Sequence, residues 1–235
     1  MMLQVSGLHT YYGKSHILQG VDLSLEAGQL ACLLGRNGVG KSTTLMSIMG
    51  LVPPKSGSIK FKDQEILGRA PHEVARLGLG FVPEERRIFK SLTVLENLLI
   101  GLKPPNRPGV DPWTTERIFD SFTRLGERRD NKGGHLSGGE QQMLTIARTL
   151  MGNPELILVD EPTEGLAPLV AESVLEMLAA ISRQGVTILM VEQNYKAALK
   201  LAQTFFIMSK GRIVFRGDGQ ELVAAEAVRQ KYLEV

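Results

Sequence analysis

The fold of this chain is decided by one stretch of its sequence, Gly35-Arg36-Asn37-Gly38-Val39-Gly40-Lys41-Ser42. The stretch matches the pattern G-x-x-x-x-G-K-[ST] in full. A run typical of a buried strand (29–34) precedes it, and a run typical of a helix (41–50) follows it. In such a strand–loop–helix unit, glycines let backbone N–H groups turn inward around phosphate oxygens, and the helix dipole adds to the attraction. Residues 35–42 are therefore called the phosphate loop.

The residue types in the phosphate loop predict how it holds a nucleotide. Lys41 supplies a positive charge to the terminal phosphates, and the hydroxyl of Ser42 is available to Mg2+. The predicted cofactors are ATP and Mg2+. The predicted nucleotide-binding residues of this part of the chain are Gly35, Arg36, Asn37, Gly38, Val39, Gly40, Lys41, Ser42 and Thr43.

A second run, Leu156-Ile157-Leu158-Val159-Asp160-Glu161, predicts the other half of the site. Its apolar residues are typical of a buried strand, which would present two carboxylates at the carboxyl edge of a parallel sheet. Asp160 suits a magnesium role, either direct or through water, and Glu161 suits the general base that polarises the attacking water. By itself, a strand that ends in Asp-Glu would be interpreted as an exposed turn. Together with the phosphate loop, it predicts a hydrolytic site.

A third stretch, Leu136-Ser137-Gly138-Gly139-Glu140, is called the LSGGE segment. Its serine can cap the helix that follows, and its glycines leave the helix N-terminus open to an anion. One interpretation is an ordinary helix cap. The other is a second phosphate cradle, about 100 residues after the first.

The order of the remaining runs predicts an α/β fold. Strand-like and helical runs alternate up to residue 83 and again from 136, which favours a mostly parallel sheet with helices on both faces. The first two strand-like runs alternate polar and apolar residues, as antiparallel strands with one solvated face do. The stretch 84–135 contains Pro104-Pro105, Pro108 and Pro112, and we interpret it as a helical subdomain with a Pro-rich bend.

Composition excludes several classes of protein. The chain has 27 basic and 25 acidic residues, a balance that argues against a nucleic-acid partner. A single cysteine, Cys32, excludes an intrachain disulfide and zinc-ligand spacing. The N-terminal residues lack the pattern of a secretory signal, and no apolar run is long enough to span a bilayer. We expect a cytoplasmic protein whose membrane role, if any, comes through a partner.

With these three motifs the sequence resembles, over essentially its whole length, the nucleotide-binding subunits of ATP-binding cassette (ABC) transporters. The resemblance implies one P-loop NTPase domain (1–235) with an N-terminal antiparallel β-subdomain, a core from 1–83 and 136–235, and a helical subdomain from 84–135. It also implies that two such subunits close head to tail. Ser137, Gly138 and Gly139 would then contact the nucleotide of the partner, and Tyr12 would stack on adenine, with Tyr11 as the alternative.

Three positions depart from the common pattern of that family. Glu84 stands where a glutamine senses the metal, Gln193 where a histidine contacts the terminal phosphate, and Ala167 where an aspartate follows the catalytic glutamate. The surrounding Val-Pro-Glu, Glu-Gly-Leu-Ala-Pro and Val-Glu-Gln-Asn are similar to the LivF-type ATPases of branched-chain amino acid importers. Closely similar subunits serve importers of urea and short amides, so this alternative stays open.

The LivF-type resemblance implies a set of partners. They are two membrane permeases, a second and unlike ATPase subunit (or a second copy of this chain), and, indirectly, a periplasmic solute-binding protein. The chain would be held at the inner face of the membrane, with the helical stretch against the permease and Phe89, Leu92 and Val94 forming an apolar groove, although core packing accounts for them equally well. Two further alternatives are a soluble ABC protein acting on ribosomes or DNA and a small phosphotransferase.

The departures predict how the work is divided in the site. The carboxamide of Gln193 can donate a hydrogen bond to the terminal phosphate but cannot exchange a proton. Glu161 is therefore expected to dominate hydrolysis. Glu84 adds a negative charge near the metal, which Mg2+ or Arg86 would have to offset.

Overall fold

The structure is a computed structural model that describes residues 1–105 and 111–234. Part of the predicted Pro-rich bend, including Pro108, lies outside the described residues. The strands of the described chain are β1 (Leu3–Tyr12), β2 (Ser15–Leu25), β3 (Leu30–Leu34), β4 (Ser56–Phe61), β5 (Gln64–Glu65), β6 (Leu79–Val82), β7 (Leu156–Asp160), β8 (Thr187–Glu192), β9 (Thr204–Ser209) and β10 (Arg212–Gly217). The helices are α1 (Lys41–Ile48), α2 (Pro71–Arg76), α3 (Val94–Ile100), α4 (Thr115–Ser121), α5 (Thr123–Gly126), α6 (Gly138–Leu150), α7 (Pro168–Arg183), α8 (Tyr195–Ala198), α9 (Gly219–Ala224) and α10 (Glu226–Tyr232).

A six-stranded sheet forms the centre, in the order β10-β9-β3-β8-β7-β6. All neighbours pair in parallel except β9 and β10, which form an antiparallel hairpin. Every residue of β3, β7 and β8 is buried, as expected for strands covered on both faces. Because these three strands are neighbours, the loops that follow them meet at one edge of the sheet. The predicted mostly parallel sheet is confirmed.

A second, antiparallel sheet has the order β2-β1-β4-β5. The long strands β1 and β2 pair from Leu3–Leu25 to Tyr12–Ser15, with register shifts that bend the hairpin. Their buried side chains join α1 and one face of the central sheet in a hydrophobic core that includes Leu8, Leu45 and Phe206. The predicted N-terminal antiparallel unit is confirmed. Its hairpin end carries Tyr12.

Helices dominate the described part of the stretch 84–135. It carries α3, α4 and α5 and a single 3-10 turn (Gly133–His135). Helix α3 starts at a capping box, in which Thr93 accepts from the backbone N–H of Glu96 and the Glu96 carboxylate accepts from that of Thr93. Trp113 is buried beneath α4, with the Arg117 guanidinium 4.1 Å from its ring centre. Together with α6 and α7, these helices cover the other face of the central sheet.

The structure also differs from the sequence-based predictions. Helices α2, α9 and α10 were not predicted. Within the described residues, no helix is both long and apolar enough to cross a membrane.

Candidate functional site

Lys41 is held at the centre of the phosphate loop. Its ammonium donates to the carbonyl oxygens of Gly35, at 3.0 Å, and Arg36, at 3.1 Å. It also lies 3.2 Å from Oε1 of Glu161, and both side chains are nearly buried. The loop can wrap this tightly because Gly35 has φ of 154° and its α-carbon faces the carbonyl oxygen of Met208, where a Cβ would lie at 2.5 Å. If a phosphate bound the Lys41 ammonium, the ion pair between Lys41 and the Glu161 carboxylate would be broken.

Ser42 and Asp160, the two residues predicted to serve a magnesium ion, are in direct contact. The Ser42 hydroxyl donates to Oδ1 of Asp160 at 3.0 Å. Burial, together with the neighbouring charges of Glu161 and Glu84, raises the pKa of Asp160 to about 6, although the Ser42 hydrogen bond acts in the opposite direction. The described residues contain no group of three or more His, Cys, Asp or Glu side chains that would hold a metal alone. A hydroxyl, a carboxylate and excess negative charge fit Mg2+, which takes few protein ligands and completes its shell with water and phosphate oxygens.

Glu161, directly after Asp160, has a left-handed backbone, with φ of 42°. This conformation, rare for a residue other than glycine, turns the chain sharply after β7. The carboxylate of Glu161 then reaches both Lys41 and Gln193, whose amide Nε2 donates to Oε2 of Glu161 at 2.6 Å. Although burial by itself would raise the pKa of Glu161, hydrogen bonds from Glu164 and Gln193 and the charge of Lys41 hold it below its ordinary value.

Gln193 therefore contacts the glutamate side of the site. The sequence predicted an amide hydrogen bond to the terminal phosphate, and the structure gives one of its amide hydrogens to Glu161. The second amide hydrogen remains available to a phosphate oxygen.

Glu164 is a site residue to which the sequence analysis gave no role. Its carboxyl group hydrogen-bonds with Glu161, and this contact, with burial and the charge of Glu161, raises the pKa of Glu164 to about 7. Two carboxyl groups in contact share a proton more readily than they ionise together. The available signal was its place three residues after Glu161.

A cavity of about 350 Å³ is bordered by Lys41, Ser42, Glu161 and Glu164. Its walls include the phosphate loop, Glu84, Glu161 and Glu164, and Tyr12 lies at its rim with 46% of its surface exposed. Tyr11 lies elsewhere, stacked on His16 with ring centres 4.1 Å apart. The structure therefore favours Tyr12 over Tyr11 as the residue free to stack on a base.

The LSGGE segment starts helix α6 with a capping box. The Ser137 hydroxyl accepts from the backbone N–H of Glu140, and the Glu140 carboxylate accepts from that of Ser137. Gly139 packs so closely on α7 that a Cβ would overlap Cγ1 of Val170. Both interpretations of the segment are therefore compatible with the structure, since the capped helix start still leaves the Ser137 hydroxyl proton free to donate.

Arg86 lies beside the LSGGE segment. A Cβ on Gly138 would be 2.9 Å from Nη1 of Arg86, whose Nη2 donates to the carbonyl oxygen of Glu164 at 3.4 Å. The segment 84–86 thus has Glu84 at the phosphate-loop cavity and Arg86 at the start of α6.

Two further predicted positions have local structural accounts. Val94 is fully buried in the core, whereas Phe89 is 47% exposed, so of the two alternatives core packing holds for Val94. Exposed apolar side chains nearby are those of Leu99, Ile100 and Leu102. Ala167 is the N-cap of α7 and makes no side-chain cap, and Pro168 starts the helix.

A glycine loop between a parallel strand and a helix, with a buried lysine facing two carboxylates, defines an α/β nucleotide-binding ATPase. The family model described as ABC transporter matches residues 18–164. The chain is 40% identical over 232 residues to the high-affinity branched-chain amino acid transport ATP-binding protein BraG of Pseudomonas aeruginosa, with 99% of each covered. The chain belongs to the ABC transporter family.

Other relatives are also ATP-binding proteins of transport systems, but their names give different transported substances. The probable branched-chain amino acid transport ATP-binding protein LivF of Archaeoglobus fulgidus is 34% identical, with 96% of this chain and 95% of LivF covered. The lipopolysaccharide export system ATP-binding protein LptB of Escherichia coli K12 is 32% identical, with 98% and 96% covered. Among solved structures, the ADP conformation of an ATP-binding cassette of an ABC transporter superposes with a TM-score of 0.85 at 28% identity, with 97% of each covered. The predicted family, fold class and ATPase activity are confirmed.

Proposed function

We propose that this chain is the ATP-hydrolysing subunit of a membrane importer for branched-chain amino acids. The observation that carries the hydrolytic part is the convergence of Lys41, Glu161 and Gln193 within hydrogen-bonding distance at one edge of the sheet. The identity with BraG and LivF supports the transport part.

ATP binding is assigned to the phosphate loop. The backbone N–H groups of residues 35–42 and Thr43 surround the phosphates, Lys41 neutralises their charge, and Tyr12 stacks on adenine. Ser42, Asp160 and Glu84 hold Mg2+, which when bound stabilises negative charge on the phosphate oxygens. The oxygen atoms of Ser42 and Asp160 are already in contact, and Glu84 lies on the same cavity.

Hydrolysis is assigned to Glu161 and Gln193. Glu161 accepts a proton from the water whose oxygen attacks the terminal phosphorus, and the bond between that phosphorus and the bridging oxygen breaks to release ADP. Transfer of the Lys41 ammonium to the phosphate would remove one of the interactions that lower the pKa of Glu161, which makes it a better base. Gln193 orients this carboxylate and donates to the terminal phosphate.

A second subunit completes the proposed site. Ser137, Gly138 and Gly139 of one subunit contact the nucleotide held by the phosphate loop of the other, which is either an unlike ATPase subunit or a second copy of this chain. Two permeases, fed by a periplasmic binding protein, hold the pair at the inner face of the membrane.

The hydrolytic role is tested by Glu161→Gln, compared with Gln193→Ala as the milder change. Glu161→Gln keeps the shape but removes the proton acceptor, so ATP turnover in the assembled transporter should fall at least 100-fold while ATP binding is retained and the subunit pair stays closed. Gln193→Ala should lower turnover less, by about 10-fold or under. Near-normal turnover in Glu161→Gln would overturn the assignment.

The transported solute is tested in a strain that lacks this subunit. Uptake of labelled leucine, isoleucine and valine should fall and should return with the wild-type chain but not with Lys41→Ala. Loss of urea or short-amide uptake instead would replace the cargo. A defect in lipopolysaccharide export, the process named for LptB, or recovery of the chain with ribosomes or nucleic acid would overturn the importer proposal.

A further inference from the structure

Glu192 is a buried carboxylate to which the proposed mechanism assigns no role. It is the last residue of β8 and is 3% exposed. Its backbone pairs with Leu34 of β3, the residue before the phosphate loop, and it is followed directly by Gln193. Glu192 therefore lies where the loops after β3, β7 and β8 meet.

The two oxygens of Glu192 contact different loops. Oε1 accepts from the hydroxyl of Thr163 at 2.7 Å, and Oε2 accepts from the backbone N–H of Gln193 at 3.1 Å. A buried carboxylate with weak partners is costly, and burial raises the pKa of Glu192 despite these hydrogen bonds. A buried acid at this cost is expected to do more than fill space.

The contacts of Glu192 close a ring with the two proposed hydrolytic residues. Gln193 donates to Glu161 through its side chain, and Thr163 follows Glu161 by two residues along the chain. Thus Glu192 ties the backbone that carries Gln193 to the loop that leaves Glu161. Loss of any one link in this ring should loosen the opposite link.

We propose that Glu192 is a positioning residue, which holds Thr163 and Gln193 in a fixed relation so that the Gln193 amide stays on the Glu161 carboxylate. This inference rests on the proposed roles of Glu161 and Gln193. It assigns Glu192 no contact with the nucleotide, and its effect is on turnover and not on ATP binding.

Two substitutions at position 192 separate positioning from charge. Glu192→Ala removes both hydrogen bonds and should lower kcat about 10-fold, with the KM for ATP within about twofold. Glu192→Gln retains both, because its carbonyl oxygen can accept from Gln193 while its NH2 donates to Thr163, whose hydroxyl is free to turn. Glu192→Gln should therefore keep kcat within about threefold of the wild type.

A second measurement follows the ring itself. Thr163→Val removes one hydrogen bond without changing shape, and in the full chain the amides of residues 193 and 194 should exchange with deuterium several-fold faster. Thr187→Val is the matched control, because this buried threonine at the other end of β8 accepts from Gly28 and lies far from the site. It should leave exchange at 193 and 194 unchanged.

The double variant Thr163→Val/Gln193→Ala decides between positioning and ordinary packing. Positioning predicts that Thr163→Val adds less than about twofold to the loss already caused by Gln193→Ala. Multiplicative losses with unchanged exchange at 193 and 194, or a rise in KM as large as the fall in kcat, would overturn the inference. If Glu161→Gln itself left turnover intact, the proposed function would fail, whereas the exchange measurement would still test the ring.

Discussion

The phosphate loop and the LSGGE segment are both glycine-containing helix starts, but they differ in what surrounds them. The phosphate loop, which contains Lys41, faces Glu84, Glu161 and Glu164 of the same chain across one cavity, and its Ser42 contacts Asp160. The LSGGE segment satisfies its own helix start through the Ser137–Glu140 capping box, and Glu140 also pairs with Arg128 at 2.9 Å. The phosphate loop is therefore surrounded by groups that can act on a nucleotide, whereas the LSGGE segment is surrounded by groups that stabilise the start of α6.

This difference shows that a glycine-containing helix start does not by itself make a nucleotide site. The phosphate loop gains its chemistry from strands that are far away in sequence but adjacent in the sheet. Within the chain, Gly139 of the LSGGE segment serves the packing of α6 on α7, and in the proposed function the segment acts on the nucleotide of a partner. The comparison can be tested by breaking each segment separately.

The largest effect is expected from Lys41→Ala. The variant removes the ammonium that holds the loop and would meet the phosphates, so ATP affinity should fall at least 100-fold. Binding of a fluorescent ATP analogue to the purified chain would measure it. Lys60→Ala, at an exposed position of β4, is the control and should bind normally. Similar affinities for both variants would contradict the assigned role.

Gly139→Ala should break the second segment through packing. The added methyl would overlap Val170, which we expect to lower the free energy of unfolding by about 1–3 kcal/mol. Urea unfolding measures the loss, and Val170→Ala should restore most of it by making room. If Gly139→Ala were as stable as the wild type and yet failed only in the assembled transporter, partner contact alone would account for this glycine.

Glu84→Gln tests whether Glu84 contributes to the metal site beside the phosphate loop. Because Glu84 lines the cavity and its negative charge acts on Asp160, removal of that charge should raise the magnesium concentration needed for half-maximal ATPase activity, by about 3–10-fold. Glu85→Gln, an exposed neighbour, is the control. An unchanged magnesium curve would remove Glu84 from the metal site.

The smallest effect is a pH dependence of the free energy of unfolding, which comes from the carboxyl groups around the phosphate loop. Asp160 has a pKa raised from 3.8 to about 6, and Glu164 one raised from 4.5 to about 7. The folded state therefore binds more protons than the unfolded state, and the stability from these groups is full below about pH 4 and lost as the pH rises through 7. In magnesium-free buffer, Asp160→Asn should reduce the fall in unfolding free energy between pH 4 and pH 7 by on the order of 1 kcal/mol. An equal fall in variant and wild type would contradict the raised pKa.

Sequence reasoning found the parts of the site that strand periodicity and glycine spacing control. Buried strands β3 and β7 are apolar runs that end at functional residues, so Lys41 and Asp160 could be placed at one sheet edge, whereas Gln193 came from the family resemblance. Glu164 and Glu192 were missed because their roles depend on which loops meet in space. The signal for Glu192 was a charged residue directly after the apolar run of residues 188–191.

The helices that the sequence analysis missed have weaker sequence signals, which lie at their N-termini. Helix α2 begins with Pro71 at its first position, and α9 begins at a capping box of Asp218 and Glu221. Both are short, and short helices depend on tertiary contacts more than on their own periodicity.

The left-handed backbone of Glu161 carries an energetic cost at a position where the proposed chemistry requires an acid. At φ of 42° a glutamate costs roughly 1–2 kcal/mol that asparagine or glycine would largely avoid. Backbone preference alone therefore favours a different residue at the position that the proposed chemistry requires to be an acid. Replacement of Glu161 by asparagine or glycine would relieve this backbone cost, but under the proposed mechanism it would also remove the general base and the partner of Lys41.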